Sequence, residues 1–245
     1  MIHTSGTSNL ADLPISGLYV DQDGGRTFND ATDDIYGYEK QRNETTPYGQ
    51  RTSELGVIDA GFELGVGTLV IMSPTIYGRG TGHFNQTSIQ VPTFAGATLA
   101  QGHGTIPGEG KGEWDNVHVE DLAELYKVVL LNVLDKGGKD LPSGKKGIIF
   151  SGSRRHHWID IAQGVAEAAH NKGLIDTPEV ESITLTKGVE VYSRDNELRV
   201  ELSLASNSKT ESAVAKKLGW KPTRGDKEWK QGFAEEVDVA AAKRK

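Results

Sequence analysis

The sequence of 245 residues contains no cysteine. Disulfide bonds, thiol catalysis and cysteine-ligated zinc or iron–sulfur sites are therefore excluded. The sequence also lacks any apolar run near the ~18 residues that a membrane-spanning helix needs. Its first residues lack the charged segment and apolar stretch of a secretory signal. We therefore expect a cytoplasmic protein that has no membrane partner.

Positive charge is also scarce. The 27 lysine and arginine residues are outnumbered by 34 acidic ones, which gives a formal net charge of −7. Nucleic acids and anionic membranes select basic surfaces, so we expect neither as a partner. His83, His156 and His157 have no acidic residue at ligand spacing beside them, so we predict no metal site.

Short apolar runs alternate with amphipathic segments along the chain. Residues 68–73 and 147–151 form continuous apolar runs of the kind found in buried parallel strands, and residues 2–7 resemble another. Helical spacing of apolar residues predicts helices over 119–134 and 158–171. This alternation predicts an α/β fold with a largely parallel sheet.

Three local patterns give further expectations. The Gly- and Asp-rich stretch 21–34 predicts a surface loop. Thr46 before Pro47 predicts the N-cap of a helix that runs to about residue 64. Ser208 and Glu211 have the spacing of a capping box and predict a helix that ends near residue 218.

Four stretches in chain order carry a resemblance. They are I-H-T-S-G-T at 2–7, M-S-P-T-I-Y-G-R-G at 72–80, W-D-N-V-H-V-E-D-L-A at 114–123, and S-N-S-K at 206–209 with L-G-W-K-P at 218–222. Together they resemble the extended short-chain dehydrogenases/reductases of the NAD-dependent epimerase/dehydratase type. The resemblance implies the C-terminal part of a doubly wound parallel Rossmann sheet over 1–80 and 115–152. It implies a small α/β substrate-binding lobe over 81–114 and 153–245.

The cofactor-binding turn of that family is absent from the sequence. In the family a Gly-rich turn between a strand and a helix holds the dinucleotide pyrophosphate. The Gly-rich stretches 78–82 and 108–112 come late, and we expect neither to join a strand to a helix. The resemblance implies NAD or NADP as cofactor and a chain equivalent to the C-terminal two thirds of such a protein. An edge strand exposed in this way predicts pairing with another chain, for example in a homodimer.

The family's chemistry uses a tyrosine and a lysine four residues later, which are neighbours on a helix. The lysine helps the phenol to exchange a proton with a substrate hydroxyl. Tyr48 has the family's distance from the 72–80 segment, but Thr52 stands in the lysine's place. Arg51 stands next to that place, about 100° from it around a helix, and so would point off the tyrosine's face. Tyr36 and Lys40 have the family's spacing but lie farther from that segment than is usual. The position favours Tyr48, while Tyr36 with Lys40, and the absence of any catalytic tyrosine, stay open.

The resemblance also assigns the other site residues. Ser5 or Thr7 would hold the substrate oxygen, since Gly6 stands in the usual Ser/Thr place. The cofactor would contact Thr4, Ser5, Pro74, Thr75 and Ile76. The small-molecule substrate would contact Tyr77, Asn85, Gln90, Trp114 and His118.

The function implied is that of an NAD(P)-dependent oxidoreductase or epimerase acting on a small carbonyl, hydroxyl or sugar-type substrate. Two alternatives stay open beside it. One is a non-catalytic regulator of an atypical branch of the family, which senses dinucleotides or binds proteins. The other is a truncated, inactive fragment. Whether the chain is an enzyme stays open, because the catalytic tyrosine is ambiguous and the Gly-rich cofactor turn is absent from the sequence.

Overall fold

Strands and helices alternate along the chain. The computed structural model describes residues 1–20 and 25–244. Within them the strands are β1 (Ile2–Gly6), β2 (Thr27–Asn29), β3 (Leu69–Ser73), β4 (Thr75–Tyr77), β5 (Gly104–Pro107), β6 (Glu113–His118), β7 (Ile148–Phe150), β8 (Arg154–His157), β9 (Val180–Ile183) and β10 (Lys209–Glu211). The helices are α1 (Ile35–Thr45), α2 (Gly49–Leu64), α3 (Gln90–Gln101), α4 (Val119–Lys136), α5 (Trp158–Asn171), α6 (Leu185–Val191), α7 (Glu197–Leu204), α8 (Ala213–Lys217) and α9 (Asp226–Ala242).

The sheet that positions the site is parallel and has the order β1–β3–β7. Ile2 lies opposite Leu69, and Val70 lies opposite Ile148. All five residues of β3 are buried, as expected for a central strand covered on both faces. The predicted α/β class with a parallel sheet is confirmed. Among the described residues β1 lies at the sheet edge, and its pairing with another chain stays a prediction.

Three smaller sheets complete the framework. β4 and β6 pair in parallel and β8 joins β6 in antiparallel orientation, while β5 pairs with β9 and β10 with β2, both in parallel. Because β4 follows β3 directly, the chain crosses from the first sheet to the second at Pro74. Among the described residues, no helix has the length and apolar character needed to cross a bilayer.

The two helices with clear apolar spacing form where the sequence predicts them. α4 begins at residue 119 and ends at Gly137, whose φ of 64° is in the left-handed region that favours glycine. α5 spans Trp158 to Asn171, as predicted. The apolar runs at 68–73 and 147–151 contain β3 and β7. These elements were predictable because their burial pattern follows their own local sequence.

The predicted N-cap at Thr46 is wrong. Thr46 instead ends α1, because its backbone N–H donates to the carbonyl oxygen of Arg42. α2 begins at Gly49, and Tyr48 is the residue just before it, with an extended φ of −135°. Tyr48 is therefore not part of the helix, so the angles between helical residues do not describe where Arg51 and Thr52 lie relative to it.

The predicted capping box at Ser208 is also wrong. Residues 209–211 form β10, which pairs with β2, and α8 begins only at residue 213. The same pairing places a strand inside the 21–34 stretch, for which the sequence predicts a loop. Residues 21–24 of that stretch lie outside the described residues. Both errors arise because a pairing between distant segments leaves no local signal.

The apolar residues form three buried clusters. The largest lies among α3, α5 and α9 and includes Phe94, Trp158 and Phe233. The other two lie on opposite faces of the first sheet: one packs under α1 and α2, and the other against α4. Trp220 belongs to the α4 cluster, so this residue of the predicted 153–245 lobe packs on the sheet side. The division into two lobes otherwise stays a prediction.

Candidate active site

A cleft of about 690 Å³ opens at the carboxyl ends of β1 and β3. The loop after β1 and the Ser73–Pro74 segment form one wall, and Trp114 with Leu202 forms part of the other. Open parallel sheets bind ligands at this edge, because the loops that follow the strands converge there. The volume falls within the range of about 300–1,000 Å³ that is typical of small-molecule sites.

Tyr48 stands in this cleft beside a serine. Its phenolic oxygen lies 3.3 Å from Ser8 Oγ, and its backbone N–H donates to Asn43 Oδ1 at 3.1 Å. Ser8 lies on a short 3₁₀ turn over Thr7–Leu10, which folds the loop back after β1. The hydroxyl nearest to Tyr48 is thus that of Ser8, a residue that the sequence analysis did not consider.

Arg51 faces Tyr48 instead of pointing away from it. Its guanidinium lies 5.7 Å from the centre of the Tyr48 ring. The angle expected for two helical residues does not apply, because Tyr48 precedes the helix. The buried guanidinium donates to the carbonyl oxygen of Asn9 at 2.7 and 3.1 Å and to that of Thr46 at 3.1 Å. Thr52, in the lysine's place, is exposed.

Two fully buried glutamates lie behind the loop that follows β1. Glu54 Oε2 accepts a hydrogen bond from Asn9 Nδ2 at 2.8 Å. The other oxygen of Glu54 and both oxygens of Glu39 find no hydrogen-bond donor among the described residues. Burial, reinforced by the charge of Glu54, raises the pKa of Glu39 well above its usual value, and burial raises the pKa of Glu54. Burial therefore favours the protonated form of both carboxyl groups, and most strongly that of Glu39.

Most of the residues assigned to the site from the resemblance do line the cleft. These are Thr4, Ser5, Thr7, Tyr48, Pro74, Ile76, Asn85, Gln90 and Trp114. The Thr7 hydroxyl is buried without a hydrogen-bond partner among the described residues.

The other assigned residues lie away from the cleft. Thr75 is fully buried, and Tyr77 packs between the rings of His118 and Trp229 at 5.1 and 4.7 Å. His118 Nδ1 accepts from the backbone N–H of Glu120 and so caps α4. In the structure Thr75 and Tyr77 pack in the interior and His118 caps α4, and their contact with a ligand stays a prediction.

The alternative pair of Tyr36 and Lys40 also lies elsewhere. The Tyr36 hydroxyl donates to Asp59 Oδ1 at 2.5 Å, and burial raises the pKa of Tyr36 to about 12. Lys40 Nζ lies 5.7 Å from the Tyr36 ring centre. The structure thus brings Tyr48, and not Tyr36, together with the loop after β1.

The Gly-rich stretch 78–82 does lie between a strand and a helix, contrary to expectation. It follows β4 and precedes α3, and Gly78 and Gly80 line the cleft. Gly78 has a φ of +83°, and a Cβ there would lie 2.3 Å from His118 Nε2. Only glycine fits at this close approach. Among the described residues, no group of three or more His, Asp or Glu side chains is placed to hold a metal ion.

Residues 20–141 match the model of the NAD dependent epimerase/dehydratase family. The chain belongs to this family. Within it, the arrangement of strands and helices is that of the extended short-chain dehydrogenases/reductases. Among curated proteins, the oxidase ucsJ of Acremonium sp is 25% identical over 164 residues, which are 64% of this chain and 46% of ucsJ.

Solved structures of the family share the fold. UDP-glucose 4-epimerase of Thermotoga maritima matches all of this chain and 64% of its own, with a TM-score of 0.57 and 16% identity. The dTDP-glucose 4,6-dehydratase DesIV of Streptomyces venezuelae matches 99% of this chain and 60% of its own, with a TM-score of 0.60 and 14% identity. The chain spans less than two thirds of the length of these relatives.

Proposed function

We propose that this chain carries the proton-transfer half of an NAD(P)-dependent oxidoreductase or epimerase acting on a small carbonyl, hydroxyl or sugar-type substrate. The observation that carries the proposal is the contact of the Tyr48 hydroxyl with Ser8 Oγ at 3.3 Å, inside the cleft at the carboxyl ends of β1 and β3. A phenol and a hydroxyl placed together in this way can hold a substrate oxygen and move its proton.

In this proposal Tyr48 exchanges a proton with the substrate hydroxyl or carbonyl oxygen. Ser8 contacts the same oxygen, and the Arg51 guanidinium lies 5.7 Å from the centre of the Tyr48 ring. Trp114 closes the opposite wall and limits water. NAD or NADP, when bound, would supply the hydride chemistry.

The cleft fits the nicotinamide end of such a cofactor. Thr4, Ser5, Pro74 and Ile76 line the wall beside Tyr48. The sequence has no G-x-G-x-x-G or G-x-x-G-x-x-G turn for the pyrophosphate. The support for cofactor binding by this chain is therefore confined to the nicotinamide end.

Two arginines at the rim of the cleft support a substrate with an anionic group. Arg194 donates to Thr93 Oγ1 at 3.1 Å, while its Nε is buried without a partner among the described residues. Arg199 also lines the rim and is exposed. Guanidinium groups suit phosphate, and the relatives named above include enzymes of UDP-glucose and dTDP-glucose.

One observation favours a second candidate, a non-catalytic dinucleotide-sensing regulator. Residue 52 is an exposed threonine where the family's tyrosine has its lysine partner. Without that lysine the cleft would still bind a nicotinamide ring. A regulator would therefore bind cofactor without turnover.

The test begins with calorimetric titration of NADH and NADPH into the chain, followed by turnover with sugar nucleotides. Tyr48→Phe is expected to lower turnover about 10²- to 10⁴-fold, the usual contribution of a positioned proton-transfer group. Tyr36→Phe is the matched control, since it removes a phenol outside the cleft, and it should retain turnover. Equal turnover in wild type and Tyr48→Phe would refute the catalytic assignment. Cofactor binding without turnover in the wild type would favour the regulator.

A further inference from the structure

Three oxygens surround the side-chain amide nitrogen of Gln50. Gln50 Nε2 lies 2.9 Å from the carbonyl oxygen of Gly6, 2.9 Å from Ser8 Oγ and 3.0 Å from Asn9 Oδ1. The Gly6 carbonyl can only accept a hydrogen bond. The atom of Gln50 that faces these oxygens must therefore be the nitrogen, which donates to them.

This arrangement affects the role of Ser8. Its oxygen accepts from Gln50, which leaves its single hydrogen for another acceptor. Tyr48 is the other side chain in contact with that oxygen, at 3.3 Å. Either hydroxyl can be the donor in this contact, and the hydrogen bond from Gln50 polarises the Ser8 hydroxyl in favour of donation to Tyr48. A donated hydrogen bond favours the ionised form of a phenol, which is also what the family's lysine does.

A hydrogen bond between Asn9 and the buried Glu54 fixes this arrangement on the side away from the cleft. Glu54 Oε2 accepts from Asn9 Nδ2, so the oxygen of the same amide faces Gln50. Asn9 Nδ2 also lies 3.3 Å from Ser5 Oγ. Asn9, Glu54 and Glu39 are all fully buried, so water cannot replace these contacts. The orientation of Gln50 is thus set on one side by backbone and on the other by a buried carboxyl pair.

We propose that Gln50 is a positioning residue for the reaction proposed above: its amide nitrogen makes Ser8 a hydrogen-bond donor to Tyr48, and the Asn9–Glu54–Glu39 contacts keep that amide in place. Gln50 acts through Ser8 and replaces part of the stabilisation that a lysine at position 52 would give. The inference rests on Tyr48 being the proton-transfer group.

The test reads Tyr48 directly. The chain is labelled with ¹³Cζ-tyrosine, and the Tyr48 signal is assigned by its loss in Tyr48→Phe. Gln50→Met and Ser8→Ala are expected to shift this signal in the same direction, and the double variant should shift it no further than Ser8→Ala alone. Gln50→Glu keeps the size of the side chain and cannot donate when it is ionised, so at a pH at which it is ionised it should give the same shift if Gln50→Met does not fold.

Glu54→Gln is the matched control. Its amide oxygen still accepts from Asn9 and its amide nitrogen donates to Glu39, so the Tyr48 signal should stay at the wild-type position. An equal shift by Gln50→Met with and without Ser8 would overturn the proposal, as would no shift in either background.

Turnover gives a second, separate readout. Gln50→Met should lower kcat about tenfold, the equivalent of one hydrogen bond, and change KM much less. If the wild type shows no turnover, the proposed function fails, yet the nuclear magnetic resonance result still decides whether Gln50 orients Ser8.

Discussion

The two walls of the cleft are built in opposite ways. Behind the β1 wall, four buried charged side chains surround the loop that holds Ser8. Glu39, Arg42, Arg51 and Glu54 are each 5% exposed or less. Arg42 donates to the backbone carbonyl oxygens of Asn9 and Ala11. Together with Arg51, which also donates to the Asn9 carbonyl oxygen, it fixes the backbone of this loop. This wall is polar, and its hydrogen bonds have fixed directions.

The opposite wall rests on aromatic rings. Trp158 packs against Trp114 at 5.4 Å and against Phe94 at 6.4 Å, and it is fully buried. Both indole N–H groups donate to Ser206, one to its hydroxyl and one to its carbonyl oxygen. The remaining contacts of this wall are apolar and have no required direction.

The two walls therefore contribute differently: the aromatic wall stabilises the fold, and the charged wall orients the side chains of the cleft. Burial of large apolar side chains contributes most of the free energy of folding, and it depends little on pH. Buried charges cost desolvation and are kept only when they are paired, which leaves them few alternative geometries. We therefore expect changes in the aromatic wall to act on stability, and changes in the charged wall to act on pH dependence and on Tyr48.

The largest expected effect is on the aromatic wall. Trp158→Ala should lower the free energy of unfolding by about 3–5 kcal/mol, because it leaves a cavity in the core between α3 and α5. Urea unfolding followed by circular dichroism measures this loss, and Trp158→Phe should lose clearly less. A small effect of Trp158→Ala would mean that the aromatic wall is not the main source of stability.

A smaller effect, and one of different kind, is expected on the charged wall. The raised pKa of Glu39 means that the folded protein binds a proton that the unfolded chain releases above its usual pKa of 4.5. The free energy of unfolding contributed by this pair must then fall as pH rises above that value. Glu39→Gln keeps a hydrogen-bond donor for Glu54 and removes the titration, so stability should depend less on pH.

The buried His156 has the opposite effect on how the free energy of unfolding depends on pH. Burial lowers the pKa of His156 to about 3, so below its usual value of 6.5 the unfolded chain binds the extra proton. Stability from this group rises with pH up to about 6.5 and is constant above it. His156 is present in both proteins, so the difference in urea unfolding between wild type and Glu39→Gln, followed from about pH 4.5 to pH 8, isolates the titration of Glu39. Parallel curves for the two proteins over this range would contradict the raised pKa of Glu39.

The same contrast shows what the sequence could reveal. α5 and β3 were predictable, since their apolar patterns reflect their own burial. The family segments also led to Tyr48, and most of the residues assigned from them line the cleft. Ser8 and Gln50 were missed because a 3₁₀ turn and a side-chain amide bring them to Tyr48. Neither contact follows from spacing along a strand or a helix.

The start of α2 was mispredicted for a related reason. Pro47 after Thr46 has the local signature of a helix start, but the Thr46 N–H is already used by α1. Moving the helix start to Gly49 takes Tyr48 off the helix and brings Arg51 towards its ring. An error of two residues at a helix boundary thus changed the interpretation of the site.

The smallest expected effect follows from that geometry and concerns Thr52. Thr52→Lys restores the family's lysine on an exposed position, so it should change the free energy of unfolding by no more than about 0.5 kcal/mol. Arg51 and Ser8 already face Tyr48, so turnover and the ¹³Cζ signal of Tyr48 should change little. Thr52→Arg, of equal charge, is the matched control for a general effect of added charge. A large rise in turnover with lysine alone would show that the charged wall does not replace the family's lysine.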